Sequence, residues 1–167
     1  MNNNTNFEKV REFHKTFSHP CHTDAQLDVF DNNKKLVDLR VALIDEEFKE
    51  LKVALEQKNM VEVADALTDI LYVVYGAGHA FGLDLDKCFT KVHDSNMTKA
   101  CKTENEAKDT VQDILARGVY KDPQYRKFGD YYIVYDASTG KVLKSKYYTP
   151  VDLKFVLEKD NNGQEQS

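Results

Sequence analysis

The chain has 167 residues, 41% hydrophobic and 31% charged, with a mass of 19.2 kDa and a mean hydropathy of −0.59, the balance of one soluble globular domain around a single core. Its 23 Lys and Arg against 28 Asp and Glu leave a charge of −5, which argues against a binder of nucleic-acid polymers or of membrane surfaces. The most apolar stretch, 67–81, is interrupted by Asp69 and falls short of the roughly 20 residues a bilayer span requires.

The start, Met1-Asn2-Asn3-Asn4-Thr5-Asn6, has neither the charged nor the apolar segment of a secretory signal. Residues 1–6 and 159–167 are expected to be disordered tails. Between them 7–158 is expected to form one domain, a helical core over 7–99 and a helix plus β-hairpin appendage over 103–158. Three widely spaced cysteines, Cys21, Cys88 and Cys101, form no Cys-x-x-Cys pair, so reduced thiols and a cytoplasmic location are expected.

A first short helix is predicted over 7–17, with Val10, Phe13, His14 and Phe17 at helical spacing. The segment 18–31, with Pro20, reads as a loop. A long helix follows over 33–57, its Val37, Val41, Ile44, Phe48, Leu51 and Leu55 forming a core stripe. After a turn at Lys58-Asn59, the helix over 60–81 is apolar on nearly all sides and is predicted to be central and buried. Gly82 ends it. A fourth helix, 84–99, turns Leu85, Cys88, Phe89 and Val92 inward. Thr103 to Glu106 reads as a capping box opening a helix that ends at Gly118. Two β-prone runs, 131–135 and 142–147, flank Asp136-Ala137-Ser138-Thr139-Gly140 and read as a hairpin, which its tyrosines stabilise. Thr149-Pro150 then starts a final helical turn.

Chemistry concentrates in two acidic clusters. Glu46, Glu47 and Glu50 lie on the long helix; Glu62, Asp65 and Asp69 lie on the central one. Glu47 and Glu50 are three apart and share a face, as do Glu62 and Asp65. Glu47 falls beside Leu36, Arg40 and Leu43, on the flank of the core stripe. The first cluster alone would read as a solvated face. The second is the only polar stripe, with Thr68 and Tyr72, on an otherwise apolar helix, and no Lys or Arg occurs between Lys58 and Lys87 to neutralise it. Buried carboxylates without partners cost several kcal/mol, and a divalent cation is the natural compensation. Hard oxygen donors suit Mg²⁺ or Mn²⁺. A di-iron or di-manganese bundle would need Glu-x-x-His, but the residues three before His14, His79 and His93 are Arg11, Gly76 and Thr90. Cys88 and His93, or Cys21 and His22, do not make a zinc site.

The order Glu46-Glu47-x-x-Glu50, then Glu62-x-x-Asp65 on the next helix, resembles the all-α NTP pyrophosphohydrolases, the superfamily of MazG, dimeric dUTPase, dCTP pyrophosphatase and phosphoribosyl-ATP pyrophosphohydrolase. The similarity covers about 7–99. Leu39-Arg40-Val41-Ala42-Leu43-Ile44-Asp45 matches the entry to the acidic helix, and Val92-His93-Asp94-Ser95-Asn96-Met97-Thr98-Lys99 resembles the end of the fourth helix in phosphoribosyl-ATP pyrophosphohydrolase-like proteins. Gly140 to Lys144 and Tyr148 to Leu153 resemble their hairpin-and-turn tail. Residues 103–126 depart from the pattern as an insertion with its own helix.

The resemblance implies a mainly α, MazG-like bundle with a small C-terminal β-hairpin. It implies hydrolysis between the α- and β-phosphates, giving a nucleoside monophosphate and pyrophosphate, with Glu47, Glu50, Glu62 and Asp65 as Mg²⁺ ligands. Catalytic roles fall to Glu47 and to Glu46, the latter either orienting water or simply solvated. Asp69 stays open between ligand, neighbour of a ligand and counter-ion. Lys91, Asn96 and Lys99 would contact phosphate or sugar oxygens. His14 and Phe17 could line a base pocket, a core role for His14 being the alternative, and His79 is expected to pack. A homo-oligomer, dimer or tetramer, is expected because one short chain leaves the central helix incompletely covered. The rival readings are phosphoribosyl-ATP hydrolysis in histidine synthesis and a catalytically inactive helical interaction module.

Overall fold

A computed structural model describes residues 4–158. It is mainly helical: α1 (Asn6–Thr16), α2 (Val29–Asn32), α3 (Lys34–Glu56), α4 (Met60–Phe81), α5 (Leu85–Met97) and α6 (Glu104–Arg117) are followed by a two-stranded antiparallel sheet, β1 (Pro123–Phe128) and β2 (Tyr131–Asp136), and a 3-10 turn, Lys154–Leu157. Among the described residues no helix is long and apolar enough to cross a membrane. The expected disorder of 159–167, and of the first three residues, lies outside the described residues. Thr5 does not belong to a tail: its side chain accepts from the Glu8 amide while Glu8 accepts from the Thr5 amide, a reciprocal capping box that starts α1.

The backbone forms two compact units. One runs to Cys88 and takes up the chain again from Lys154; the other is Phe89–Leu153. In the first, α3 and α4 form a helical hairpin across a tight connection in which Lys58 takes a positive φ and Asn59 caps α4 by accepting from the Val61 and Glu62 amides. α1 lies on the C-terminal half of α4. Phe7 stacks on His79 at 3.7 Å and meets Tyr75 edge-on at 5.8 Å, and His79 Nε2 donates to the Phe7 carbonyl at 2.8 Å. His79 therefore packs, as expected.

The expectation of a central, buried helix over 60–81 is corrected. Only Gly76 to Ala80 form a continuous buried run, whereas Met60 and Val61 are 77% and 75% exposed and Leu67 and Leu71 about half exposed. On α3 the same holds for Val41, Phe48 and Leu55 of the expected core stripe. The reason is reach. α1 has 11 residues, about 16 Å of helix, so it covers one end of α4 and leaves the rest with α3 as its main neighbour.

The second unit has its own core of Cys101, Ala107, Ile114, Val134 and Leu143, with Tyr125 and Tyr132 packed against it. Thr103 caps α6 by accepting from the Glu106 amide, but Glu106 reaches past it to the Lys102 amide, so the expected box is closed on only one side. The hairpin is also displaced from its expected place. β1 pairs with β2 across Gly129-Asp130, with Phe128 opposite Tyr131, and 142–147 contributes only an isolated bridge, Val142 to Tyr135. Asp136 explains the change: its carboxylate accepts from the Ser138 and Thr139 hydroxyls and the Asp122 amide, closing a compact turn instead of a strand pair. The helical turn expected at Thr149-Pro150 is absent there; helix-like structure appears at Lys154–Leu157.

Gly82 ends α4 at φ 70°, with its own amide and that of Leu83 bonded back to the His79 and Gly78 carbonyls. A Cβ there would fall inside van der Waals contact with the Asp24 carbonyl. Gly82→Ala is expected to cost more than the roughly 1–2 kcal/mol of a left-handed residue alone, because the loop must also move; chemical denaturation measures the loss.

Candidate functional site

The α3–α4 hairpin brings the two acidic clusters together. Ala54 and Ala66 are buried where the helices face each other, and beside them Glu50, Glu62 and Asp65 line an open groove of about 330 Å³ with Lys49, Val53 and Gln57. Small residues at the crossing let two acidic faces share one groove. Glu62 stands in the first turn of α4, where the helix dipole favours a negative charge.

Glu47, half-buried one turn before Glu50, shows how closely the charges are held. Burial, then the charges of Glu50, Asp69, Glu46 and Asp65, push its carboxyl above the usual range. Asp69, left open by the sequence, thus joins the cluster. Lys49, which also lines the groove, is engaged elsewhere: it pairs with Asp45 at 2.6 Å, a pair more than half exposed. The carboxylates of Glu47, Glu50, Glu62, Asp65 and Asp69 have no ion pair or hydrogen bond among the described residues. Glu46 is exposed.

As a donor set, five oxygen-bearing groups of one charge without a counter-cation fit a hard divalent ion. Their placement is that of an open groove: among the described residues no three His, Cys, Asp or Glu converge as a group able to hold a metal. The chemistry of the donors fits the ion, and the closed coordination sphere is not preformed.

A second group of residues gathers in the same unit around the end of α1. His14 is 3% exposed, and its Nδ1 donates to the Pro20 carbonyl at 2.7 Å. Phe17, by contrast, lies on the surface against Phe13, ring centroids 4.5 Å apart. Phe13 meets Tyr72 edge-on at 5.5 Å and stacks with His19 at 5.8 Å, and Tyr72 follows Asp69 by one turn of α4. Arg40, buried on α3, belongs here too. The roles of Phe13, His19 and Arg40 went unread in the sequence. The signal for Arg40 was a charged residue at helical spacing from buried Leu36; nothing local marked Phe13 or His19.

Lys91, Asn96 and Lys99 belong to the second unit. Lys91 is exposed. Lys99 Nζ donates to Asn96 Oδ1 at 2.7 Å and lies 5.9 Å from the centre of the Tyr148 ring. These two side chains are brought together; Lys91 is not tied to them by any such contact.

Residues 10–96 match the family model described as phosphoribosyl-ATP pyrophosphohydrolase, a span that holds both acidic clusters, His14 and Arg40. The chain is also similar to Uncharacterized protein L479 of Acanthamoeba polyphaga mimivirus, 29% identical over 92% of this chain and 96% of that protein.

Because folding raises the proton affinity of Glu47, the folded chain binds more protons than the unfolded one just above the ordinary carboxylate range, and stability falls as pH rises through that window. Metal-free Glu47→Gln protein is expected to melt at a higher temperature than the parent at pH 7. The gap should close as the pH falls below about 4. Melting curves across pH, in the presence of a chelator, measure it; a lower melting temperature for the variant would instead reveal an ion pair at Glu47.

Proposed function

The chain belongs to the phosphoribosyl-ATP pyrophosphohydrolase family, and from that membership and its acidic groove we propose a Mg²⁺-dependent nucleotide pyrophosphohydrolase that cleaves between the α- and β-phosphates. The observation that carries this reading is the set of uncompensated carboxylates facing one another across α3 and α4 within the family-matched span. A triphosphate brings about four negative charges, and an acidic groove accepts it only together with cations.

Glu47, Glu50, Glu62 and Asp65 would hold Mg²⁺, or Mn²⁺ in its place, with Asp69 beside them. The ion, when bound, offsets the charge of the phosphates and makes a water more acidic. The chain's own part is positioning. Glu47, set between the two acidic faces, is assigned to holding the attacking water beside the ion. Glu46, one residue away and open to solvent, is assigned to orienting that water. Oxygen from the water bonds to the α-phosphorus, the bridging bond to the β-phosphate breaks, and nucleoside monophosphate and pyrophosphate leave. His14 and Phe17 are assigned to the base end, and Lys91, Asn96 and Lys99, following the resemblance, to phosphate or sugar oxygens.

The exposed apolar side chains of α3 and α4 support a homo-oligomer, dimer or tetramer, in which a second copy covers Val41, Phe48, Met60, Val61 and Leu67. The free thiols of Cys21, Cys88 and Cys101 suit a reducing, cytoplasmic compartment.

Three experiments test this reading. Pyrophosphate release should depend on Mg²⁺ across a panel of nucleoside triphosphates and phosphoribosyl-ATP; turnover of phosphoribosyl-ATP alone would place the enzyme in histidine synthesis, and no turnover at all would leave an interaction module. Glu47→Gln and Asp65→Asn are each expected to abolish turnover while leaving the fold intact by circular dichroism. Light scattering at micromolar concentration should give a multiple of 19.2 kDa; a monomer would overturn the oligomer.

A further inference from the structure

Another hollow lies between α1 and α4. Val10, Leu71, Tyr72 and Tyr75 wall a mostly apolar cleft of about 160 Å³. Val10 is 2% exposed, and each tyrosine ring is met edge-on by a phenylalanine of α1: Phe13 at 5.5 Å from Tyr72, Phe7 at 5.8 Å from Tyr75. An edge-on contact occupies at most one face of a ring and fixes its tilt, and Tyr72 remains 38% exposed. Pockets that take a whole drug-sized ligand hold roughly 300–1,000 Å³. This cleft is smaller and suits a single flat ring system.

Thr68 points to the ligand. Its side chain lines the cleft and also a more open hollow of about 430 Å³ that it shares with Glu62 and Asp65, so the cleft and the carboxylates are continuous along α4. Asp65, Thr68 and Tyr72 follow one another at spacings of three and four residues on one face, about 4.5 and 6 Å of helix rise. The Thr68 hydroxyl gives its hydrogen to the Ala64 carbonyl at 2.8 Å, which leaves its oxygen as an acceptor. Along the helix stand carboxylates, then an acceptor oxygen, then an aromatic-walled cleft. A cation-bound phosphate chain, a sugar hydroxyl and a heterocycle follow in the same order along a nucleotide.

We infer that the cleft between α1 and α4 receives the heterocycle of the nucleotide, stacked on Tyr72 and packed against Val10 and Leu71, with Thr68 accepting from a sugar hydroxyl. The rim is polar, with Lys9 Nζ donating to Asn6 Oδ1 at 3.2 Å, so a bound ring keeps its polar edge beside groups able to pair with it. The base end is thereby relocated. His14 lines no part of the cleft, and Phe17 is joined to it only through Phe13, which touches both Phe17 and Tyr72. An apolar side chain of a second copy would find the same walls, but it would leave Thr68 and the rim unused. That the bound nucleotide is a substrate rests on the pyrophosphohydrolase reading; the fit of the cleft to a nucleoside does not.

The test is calorimetric titration of metal-free protein with adenosine, guanosine, cytidine and uridine, and with ribose as a control. At least one nucleoside should bind at about millimolar concentration or below, and ribose should not. Leu71 is about half exposed, so Leu71→Trp fills the cleft from its edge without disturbing the core and should abolish nucleoside binding, with circular dichroism unchanged. Tyr72→Leu should weaken it about ten-fold or more through lost stacking, and Tyr72→Phe should retain it. Thr68→Val should weaken the nucleoside about two- to ten-fold, as the loss of one neutral hydrogen bond does, and leave the free base unaffected. With Mg²⁺, the KM of the corresponding triphosphate should rise in Tyr72→Leu as the nucleoside affinity falls. No nucleoside binding to the parent, undiminished binding in Leu71→Trp, or equal binding by Tyr72→Leu and Tyr72→Phe would each overturn the inference. Equal weakening of base and nucleoside by Thr68→Val would overturn the order of groups along α4. A parent oligomer that binds no nucleoside and falls to a monomer on Leu71→Trp would give the cleft to a second copy. Nucleoside binding at the cleft without pyrophosphate release would sink the hydrolase reading and keep this one; pyrophosphate release with unchanged KM in Leu71→Trp and Tyr72→Leu would do the reverse.

Discussion

Carboxylates from two helices are held within reach of one another against their own repulsion, and the organisation of the first unit follows from how this is done. Nothing in the groove between α3 and α4 neutralises them: Lys49 is turned toward Asp45, and the burial of Glu47 makes its charge harder to keep. The opposing force is apolar and local. Ala54 and Ala66 are buried where the helices meet, and Asn59 starts α4 at once after the turn by holding two of its first amides. The short connection fixes the register of the acidic faces. Like charges one turn apart would ordinarily destabilise a helix by a few tenths of a kcal/mol, a loss that the packing of a long hairpin absorbs.

The polar core at the other end of α4 is built on a different rule. Glycines at 76 and 78 let side chains from α1, α3 and α5 come up to the helix backbone: a Cβ at either site would press on His14 or Leu85. His79 and His14 each give one ring hydrogen to a backbone carbonyl, while burial lowers the proton affinity of both rings. The segment between α1 and α2 is tied to the end of α4 by the His22 and Gln26 amides, which donate to the His79 and Phe81 carbonyls. Carbonyls that a helix end leaves unpaired thereby become the anchor for the loop that carries Pro20. Arg40 is the exception, the one described residue with buried side-chain polar atoms left unpaired, and it stands where the family-matched helices converge.

The second unit shows a separate economy of polar groups. Thr110 donates to the Glu106 carbonyl and accepts from the Lys146 amide, and Ser145 sits between Cys101 and the Tyr147 amide. These bonds fasten a chain segment with little regular structure of its own onto α6. They explain why 142–147, β-prone by composition, does not need a strand partner along its length: its amides go to the Val134 and Lys99 carbonyls and to the Thr110 and Ser145 hydroxyls.

What the sequence determined by itself is the set of features with a short physical range. Helical periodicity located α1, α3, α4, α5 and α6 to within a few residues, Gly82 and Gly118 marked helix ends because only they adopt φ near 70° and 63° without strain, and the spacing of Glu47 with Glu50 and of Glu62 with Asp65 fixed shared faces. Tertiary structure decided the rest. Spacing already put Asp69 on the acidic stripe of α4; that its charge acts on Glu47 depends on α3 passing beside it. The strand at 123–128 was invisible because its Gln, Arg and Lys gain β-structure only by pairing with 131–136. The apolar stripes of α3 and α4 were legible, but periodicity states that a face is apolar and not what covers it; that depends on the reach of α1. Arg40 was named in the sequence as a neighbour of Glu47, yet its orphaned donors exist only once His14, Gly76 and Arg40 are drawn together from three helices, since an unsatisfied hydrogen bond is a property of surroundings and not of a residue.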